Sequence, residues 1–398
     1  MRALLRSMFW ISFSFGMLSF ALPIYARELG ASAWDVGVMF AVFSLVPVFI
    51  RPVLGQALDR WGRRPFLLLG FASYAAAMVV FALGGNVGLL TVGRFIQGLG
   101  QAFLWLAALT VVSDLAAATG RGQDFGLVDE SVNRGALVGT TLGFFAYFYL
   151  ANARSWTWSQ TWPWLFGAYA LLALWASWGV WRGVPETRQQ ATEDQSATDD
   201  QPATDDRPFS RQLLALMGIV FVTGASSSMA WPMLTIFLQD SIGADASSLA
   251  WAYLPAALLN TFLPSRLGRY ADRFGRKPPM IAGLLVGALA SAAIPVLGSL
   301  IMLAVLWAIE SVGYSASVPA ERAFVADIAG KDMRGSSYGW YTFAFFLGGV
   351  FGPLLGGWLY DHWTPAAPFY LNAVVLVAGA VLVGLALREP RRSEQAPV

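Results

Sequence analysis

The feature that most limits this chain is a series of long apolar blocks that contain few charges. Residues 4–25, 33–55, 65–83 and 87–112 are four such blocks, each reaching or approaching the roughly 20 residues that cross a bilayer core. In lipid a backbone must satisfy its own hydrogen bonds, so blocks of this length are predicted to be helices. Further spans are predicted at 125–150, 161–182, 210–238, 246–267, 278–298, 299–320, 337–360 and 365–387, twelve in all. Composition agrees: 57% of the residues are hydrophobic and 13% charged, with a mean hydropathy of +0.56. Soluble domains carry about a quarter charged residues. The first block follows Arg2 and Arg6 like a signal peptide, but it is longer than an h-region and lacks an A-x-A site. It is expected to stay as a span.

Arginine and lysine set the predicted orientation. Arg60, Arg63 and Arg64 follow the second span, and Arg121 follows the fourth. Arg266, Arg269, Arg273, Arg276 and Lys277 follow the eighth, Lys331 and Arg334 the tenth, and Arg388, Arg391 and Arg392 the twelfth. The alternate loops hold only Arg27 and Arg154. Both termini are therefore expected in the cytoplasm of a multi-pass cell-membrane protein, with a bacterial plasma membrane as the expected setting. Between spans six and seven, acidic hexapeptides begin at Ala191, Ala197 and Ala203. Such a tract cannot bury enough apolar surface to order itself. The expected organisation is a six-helix half over 1–182, a flexible linker over 183–209 and a second six-helix half over 210–398.

An internal repeat supports this division. Gly55, Asp59, Arg60, Gly62, Arg63 and Pro65 match Gly268, Asp272, Arg273, Gly275, Arg276 and Pro278 at an offset of 213. The same offset carries Asp114 onto Asp327, Arg121-Gly122 onto Arg334-Gly335, Gly139 onto Gly352 and Gly143 onto Gly356. Each copy lies in a loop on the same predicted side, so the halves are parallel repeats, as in known transporter folds. On its own terms, Gly55 favours close helix approach. Asp59 suits a cation or a helix N-terminus, Gly62 a tight turn, and Arg63 and Arg64 an anionic lipid surface.

The segment 55–65 resembles the signature loop of the major facilitator superfamily, and Leu90, Arg94, Gln97, Gly98 and Gly100 resemble its fourth-helix motif. The resemblance covers essentially the whole chain. It implies an all-α membrane fold of twelve helices in two pseudo-symmetric halves, and secondary transport by alternating access. It also implies that Gly55, Asp59, Arg60 and Arg63, with Gly268, Asp272, Arg273 and Arg276, form a conformational gate. By resemblance, helices 1, 4, 7 and 10 line the cavity.

Substrate chemistry is expected where the repeat fails. Arg94 pairs by offset with Trp307, and Gln97 with Glu310. Intramembrane charges are costly and are functional hypotheses by default. Arg94 and Glu310 are expected to face each other across the cavity, with Glu310 as the proton-coupling acid whose protonation depends on conformation. A structural ion pair is the competing reading. Asp129, Glu130 and Arg134 form a second cluster, with Glu130 and Arg134 spaced to pair along a helix. Arg51 is a further buried-cation candidate, and Arg322 beside Glu321 reads as a structural helix end. Gly348, Gly349, Gly352, Gly356 and Gly357 around Pro353 favour close packing. The similar pattern that the superfamily's antiporters carry in helix 5 is incomplete here, where the chain reads Gly139-Thr140-Thr141-Leu142-Gly143.

Trp156, Trp158, Trp162 and Trp164 are expected to anchor at the outer interface. Phe13, Gln101, Trp105, Trp231 and Tyr314 are cavity-lining candidates, beside Phe9 and Trp10. The expected partners are a small-molecule substrate, protons and membrane lipid; no nucleic acid is expected, and the chain is expected to be a monomer. No cofactor is expected: there is no cysteine, one histidine (His362), no nucleophile–base pair and no phosphate-binding G-x-x-x-x-G-K-[ST] loop. An enzyme and an ATP-driven pump are disfavoured, and the chain lacks a folded extramembrane domain that would suggest a receptor. The leading expectation is proton-coupled efflux of amphipathic compounds. The alternative is a symporter or facilitator for a sugar or organic acid, using Gln97, Gln101 and Ser226–Ser228.

Overall fold

The computed structural model describes residues 1–115, 121–187, 211–243, 246–264, 266–267, 275–328 and 334–389, and every regular element in them is helical. In chain order these are α1 (Arg2–Ile11), α2 (Phe13–Glu28), α3 (Ala33–Trp61), α4 (Arg64–Ala82), α5 (Val87–Leu115), α6 (Arg121–Arg154) and α7 (Trp158–Gly183). The second half holds α8 (Arg211–Ile242), α9 (Ala246–Phe262), α10 (Lys277–Ala293), α11 (Leu300–Ile328), α12 (Arg334–His362) and α13 (Ala367–Ala386). Together α1 and α2 make the first span, interrupted at Ser12, so α3 to α13 are spans two to twelve. Eleven segments are long and apolar enough to cross a membrane. Helix α9, with 17 residues, adds the twelfth at about 25 Å.

The apolar blocks fix where the helices lie, while caps and turns fix where they stop. Ser32 and Asp35 form a capping box at the start of α3, with the Ser32 Oγ accepting from the Asp35 N–H at 3.1 Å. Thr157 and Gln160 make the same box for α7. Gly62 ends α3 with φ +93°, and its repeat mate Gly275 has φ +100°. That region of backbone space favours glycine. Several helices run past their apolar blocks: α3 reaches Trp61 and α11 reaches Ile328. The polar turn added to α3 holds Asp59 and Arg60 of the signature motif. The tract 188–210 lies outside the described residues, but Glu186 and Thr187 just before it are held against the first half.

The halves meet along two seams. At the first, α3 lies against α12, and glycines bring the backbones together. Gly37 faces the Pro353 carbonyl, a Cβ added at Gly349 would lie 2.8 Å from the Ser44 Oγ, and one at Gly357 would lie 2.7 Å from the Trp34 Cα. Gly348, Gly352 and Gly356 line the other face of α12 and take the backbone of α8. The glycine pattern of the sequence thus serves two neighbours at once. At the second seam α6 faces α9, and there none of the described glycines of α6 (Gly135, Gly139 and Gly143) touches α9.

Two of the four clustered tryptophans are not interfacial anchors. Trp158 and Trp162 are buried; Trp162 stacks on Tyr25 at 4.2 Å and donates its indole N–H to the Phe81 carbonyl at 2.8 Å. A buried indole needs such a partner. Trp164 is exposed, as an anchor would be.

Candidate functional site

A cavity of about 400 Å³ lies between the halves, walled by α2, α6, α8 and α9. None of its described lining residues is charged. Its inner wall is aromatic. Phe20 of α2 lies 4.3 Å from the Tyr253 ring and 5.3 Å from Trp231, while Trp307 sits 5.5 Å beyond Tyr253. Polar groups are few and spaced apart: Ser19, Asn133, Thr140, Thr141, Asn260 and Thr261. Asn260 is already committed, donating to Ser311 at 3.2 Å and accepting from Ser315 at 3.2 Å. The Thr140 hydroxyl is buried without a hydrogen-bond partner, and Gly16 opposite leaves room for it. Volume and lining fall within the usual range of small-molecule sites.

Among the lining candidates read from the sequence, Trp231 is in the wall. Phe13 packs instead on Gly139, and Gln101 accepts from the Tyr74 hydroxyl at 2.7 Å inside the first half. Trp105 has a buried indole N–H without a partner. Tyr314 is 59% exposed and within electrostatic reach of Asp129 of the other half. It therefore faces the space between the halves, outside this cavity. The candidates on α5 missed because its Arg94 face turns into its own half.

Arg94 and Glu310 are not joined, and no ion pair among the described residues includes either. Arg94 is 4% exposed and held by the first half alone. It donates to Gln97 at 3.0 Å and to the Leu18 carbonyl at 3.1 Å, with its guanidinium 4.2 Å from the Phe40 ring centroid. Its Nε has no partner. Glu310 is half-buried on α11, within electrostatic reach of the cavity residue Tyr253. The acid is not among the residues that line the cavity, and the arginine braces α2 against α5. Arg51 makes a cation–π contact with Phe346 of α12 at 4.5 Å.

Polar contacts between the halves cluster at the two ends of the bundle. At the end opposite the termini, Arg27 of α2 pairs with Asp240 of α8 at 3.1 Å, and Tyr360 donates to the same carboxylate at 2.9 Å. Arg27 and Asp240 are repeat-related positions, 213 residues apart. Nearby, Asp361 of α12 accepts from the Ala33 and Trp34 N–H groups at 3.2 and 2.8 Å. Those are the orphan donors of the α3 N-terminus, where a carboxylate is favoured. At the termini end, Arg322 of α11 pairs with Asp129 of α6 at 3.2 Å. Arg322 thus joins the halves, where the sequence reading made it part of its own helix end. Glu130 and Arg134 pair along the exposed face of α6.

The signature loop is held inside each half. Arg63 is buried and does not meet a lipid surface: its Nε pairs with Asp114 at 3.1 Å and its Nη1 donates to the Leu58 carbonyl at 3.0 Å. Glu186 accepts from the N–H groups of Arg63 and Arg64 at 2.9 and 3.0 Å, capping α4. Thr187 donates to Asp114 at 2.6 Å. In the second half Glu389 accepts from Arg276 and Lys277, the repeat mates of Arg63 and Arg64. Both carboxylates sit where a side chain on Gly62 or Gly275 would intrude. Arg60 is exposed at the end of α3. The side chain of Asp59, the surroundings of Gly55, and residues Gly268, Asp272 and Arg273 lie outside the described residues. Glu186, Glu389 and Asp240 were not singled out from the sequence, where Asp114 entered only as a repeat match and Arg27 only as a loop cation.

Known proteins resemble this chain over nearly its whole length. Multidrug resistance protein 1 of Bacillus subtilis (strain 168) is 24% identical over 381 residues, covering 95% of this chain and 94% of that protein. Multidrug resistance protein MdtH of Yersinia pestis (strain Pestoides F) is 25% identical over 356 residues, covering 88% and 85%. Among solved structures, the inward-open xylose transporter XylE from E. coli has a TM-score of 0.76 at 15% identity, covering 98% of this chain and 97% of that one. The human organic anion transporter MFSD10 has a TM-score of 0.68 at 18% identity, covering 96% and 98%. At such identities the structures speak for the fold alone. The family profile decides the rest: it matches residues 4–215 and again 216–398, so this chain belongs to the Major Facilitator Superfamily and is a multi-pass membrane transporter.

Proposed function

We propose that the chain exports small amphipathic compounds in exchange for protons, working by alternating access with both termini in the cytoplasm. The observation that carries this reading is the aromatic-walled cavity between the halves, whose described lining residues carry no charge. An apolar cavity with scattered hydrogen-bonding groups suits varied lipophilic molecules, because no charge or dense polar array selects one. The relatives named as multidrug resistance proteins support the same reading.

A polyhydroxylated sugar needs matching polar partners, because a buried hydroxyl left unpaired is costly. Three of the groups the sequence offered for one are engaged elsewhere. Gln97 is bonded to Arg94, Gln101 to Tyr74, and Ser226 to Asn372 at 2.7 Å. Alternation would use the latches at the two ends. Breaking Arg27–Asp240 and the Asp361 cap opens one end, and breaking Arg322–Asp129 opens the other. Glu310 is assigned as the coupling acid, since an intramembrane carboxylate within electrostatic reach of the cavity residue Tyr253 can exchange a proton as access alternates. The test is uptake of ethidium, Nile red and labelled xylose by inside-out vesicles energised with an acid interior. Proton-dependent accumulation of the dyes, lost in Glu310→Gln, is the expected result. Uptake of xylose alone would overturn the proposal in favour of sugar transport.

A further inference from the structure

Helix α11 is held on its two sides by different means. Toward α10 the backbones meet: a Cβ added at Gly283 would lie 2.8 Å from the Gly313 carbonyl, and one at Gly313 would lie 3.1 Å from the Val286 side chain. Glycine contact of this kind holds a helix pair close. Toward α9 a polar cluster takes over. The Asn260 amide N–H donates to the Ser311 hydroxyl at 3.2 Å, and the amide carbonyl accepts from the Ser315 hydroxyl at 3.2 Å. Both serines are buried, and the Tyr253 hydroxyl, about two turns earlier on α9, faces the same amide. Asn260 also lines the cavity, whereas Ser311 and Ser315 are not among its lining residues. Ser19 and Thr261 of the same lining instead donate to carbonyls of their own helices. Among the described lining residues, Asn260 is thus the one whose side chain is hydrogen-bonded to another helix. That helix carries Glu310, next to Ser311, and Arg322, whose pair with Asp129 joins the halves. Glu310 and Tyr314, next to Ser315, both lie within electrostatic reach of Tyr253.

Resting on the reading of this cavity as the substrate site and of Glu310 as the coupling acid, we propose that Asn260 is the positioning residue that links them, yielding its bond to α11 when a hydrogen-bond acceptor on the substrate takes its amide. A carboxamide has two N–H donors and one carbonyl. One N–H is on Ser311 and the Tyr253 oxygen faces the group, so an acceptor arriving from the cavity competes with partners already in place. Both serine bonds are at or past the long end of the usual range. Exchange therefore costs little, because a bond to Ser311 is lost and one to the substrate is gained. Helix α11 then stays fixed to α10 through glycine and is loosened on its α9 side. Turning about the fixed side moves Glu310 relative to Tyr253, and the carboxyl gives up its proton to water as the ligand binds. Arg322 rides on the same helix, so its latch to Asp129 moves in the same event. The substrate class is an amphiphile with a hydrogen-bond acceptor for Asn260 and an apolar body that lies against Phe20, Trp231 and Tyr253.

The test counts protons released per dye bound. Nile red accepts hydrogen bonds and donates none, and its fluorescence reports binding. It is added to purified, weakly buffered protein beside a pH indicator. The unaltered protein is expected to release protons on binding, and Glu310→Gln to release none. Ser311→Ala/Ser315→Ala leaves the cavity lining untouched, so Nile red affinity is expected within about threefold of the unaltered protein. Proton release per bound dye is expected to fall about tenfold. Asn260→Leu should show the same loss of release, and each serine variant alone serves should the double variant not fold. Unchanged release per dye in the serine variants overturns the inference, even if their melting temperatures fall, because Asn260 would then only brace α9 against α11. Loss of dye binding in the serine variants overturns it too, since the serines would then shape the cavity. Binding without proton release in the unaltered protein overturns the proton-exchange reading on which the inference rests, so the two failures are told apart.

Discussion

Gly37 offers a direct way to force the halves apart at one end. It lies on α3 four residues from the helix start, and a Cβ there would run into the Pro353 carbonyl of α12. Backbone atoms cannot swing aside as a side chain end can. Gly37→Leu should therefore destabilise the state in which the end opposite the termini is closed by about 1–3 kcal/mol, the usual cost of overpacking. At 1.4 kcal/mol per tenfold, that shifts the closed-to-open ratio by roughly 5- to 140-fold. The matched control is Gly352→Leu. Its Cβ would meet Ala225 of α8, in the same half, so it should lower stability without moving one half against the other. The assay is a spin-label distance between Gly85→Cys and Thr364→Cys, which are exposed at that end on opposite halves. A longer-distance population is expected in Gly37→Leu and absent in Gly352→Leu. An unchanged distance distribution in a folded Gly37→Leu protein would refute the idea that glycine contact at this seam sets the closed state.

Three further outcomes follow from the same geometry. Arg27→Ala or Asp240→Asn should raise the long-distance population by up to about fivefold, the scale of an exposed pair, with the gain shrinking at high salt; no change at low salt would remove this pair from the latch. Glu186→Ala should cost about 1 kcal/mol by uncapping α4 and speed hydrogen exchange at the first turn of that helix. Unaltered exchange there would mean the carboxylate is not the cap. Arg94→Lys keeps the charge but cannot bond Gln97 and the Leu18 carbonyl in one plane, so turnover should fall severalfold with expression unchanged; full turnover would make Arg94 a dispensable charge.

Much of the architecture was legible in the chain because the physics behind it is local. A bilayer demands apolar length, so eleven of the twelve blocks are recognisable by hydropathy alone. The 213-residue offset places Gly62 and Gly275 in equivalent turns, and both adopt positive φ. What was not legible is pairing across sequence distance. Glu186 and Glu389 do the same work in the two halves, yet they lie 203 residues apart rather than 213, so a fixed-offset comparison misses them. Arg27 and Asp240 do share the offset, but a search for likeness passes over opposite charges. Arg94 and Glu310 look like partners because each is an isolated intramembrane charge. The helix faces, which sequence alone did not resolve, turn the arginine into its own half.

The central claim is that substrate leaves as protons enter. Its most direct measurement is simultaneous flux in liposomes holding purified protein, with a pH dye on one side and Nile red or ethidium on the other. The account predicts that adding dye dissipates an imposed pH gradient, that proton and dye move in opposite directions, and that Glu310→Gln abolishes both together. Dye and protons moving in the same direction, or full coupled flux in Glu310→Gln, would contradict it.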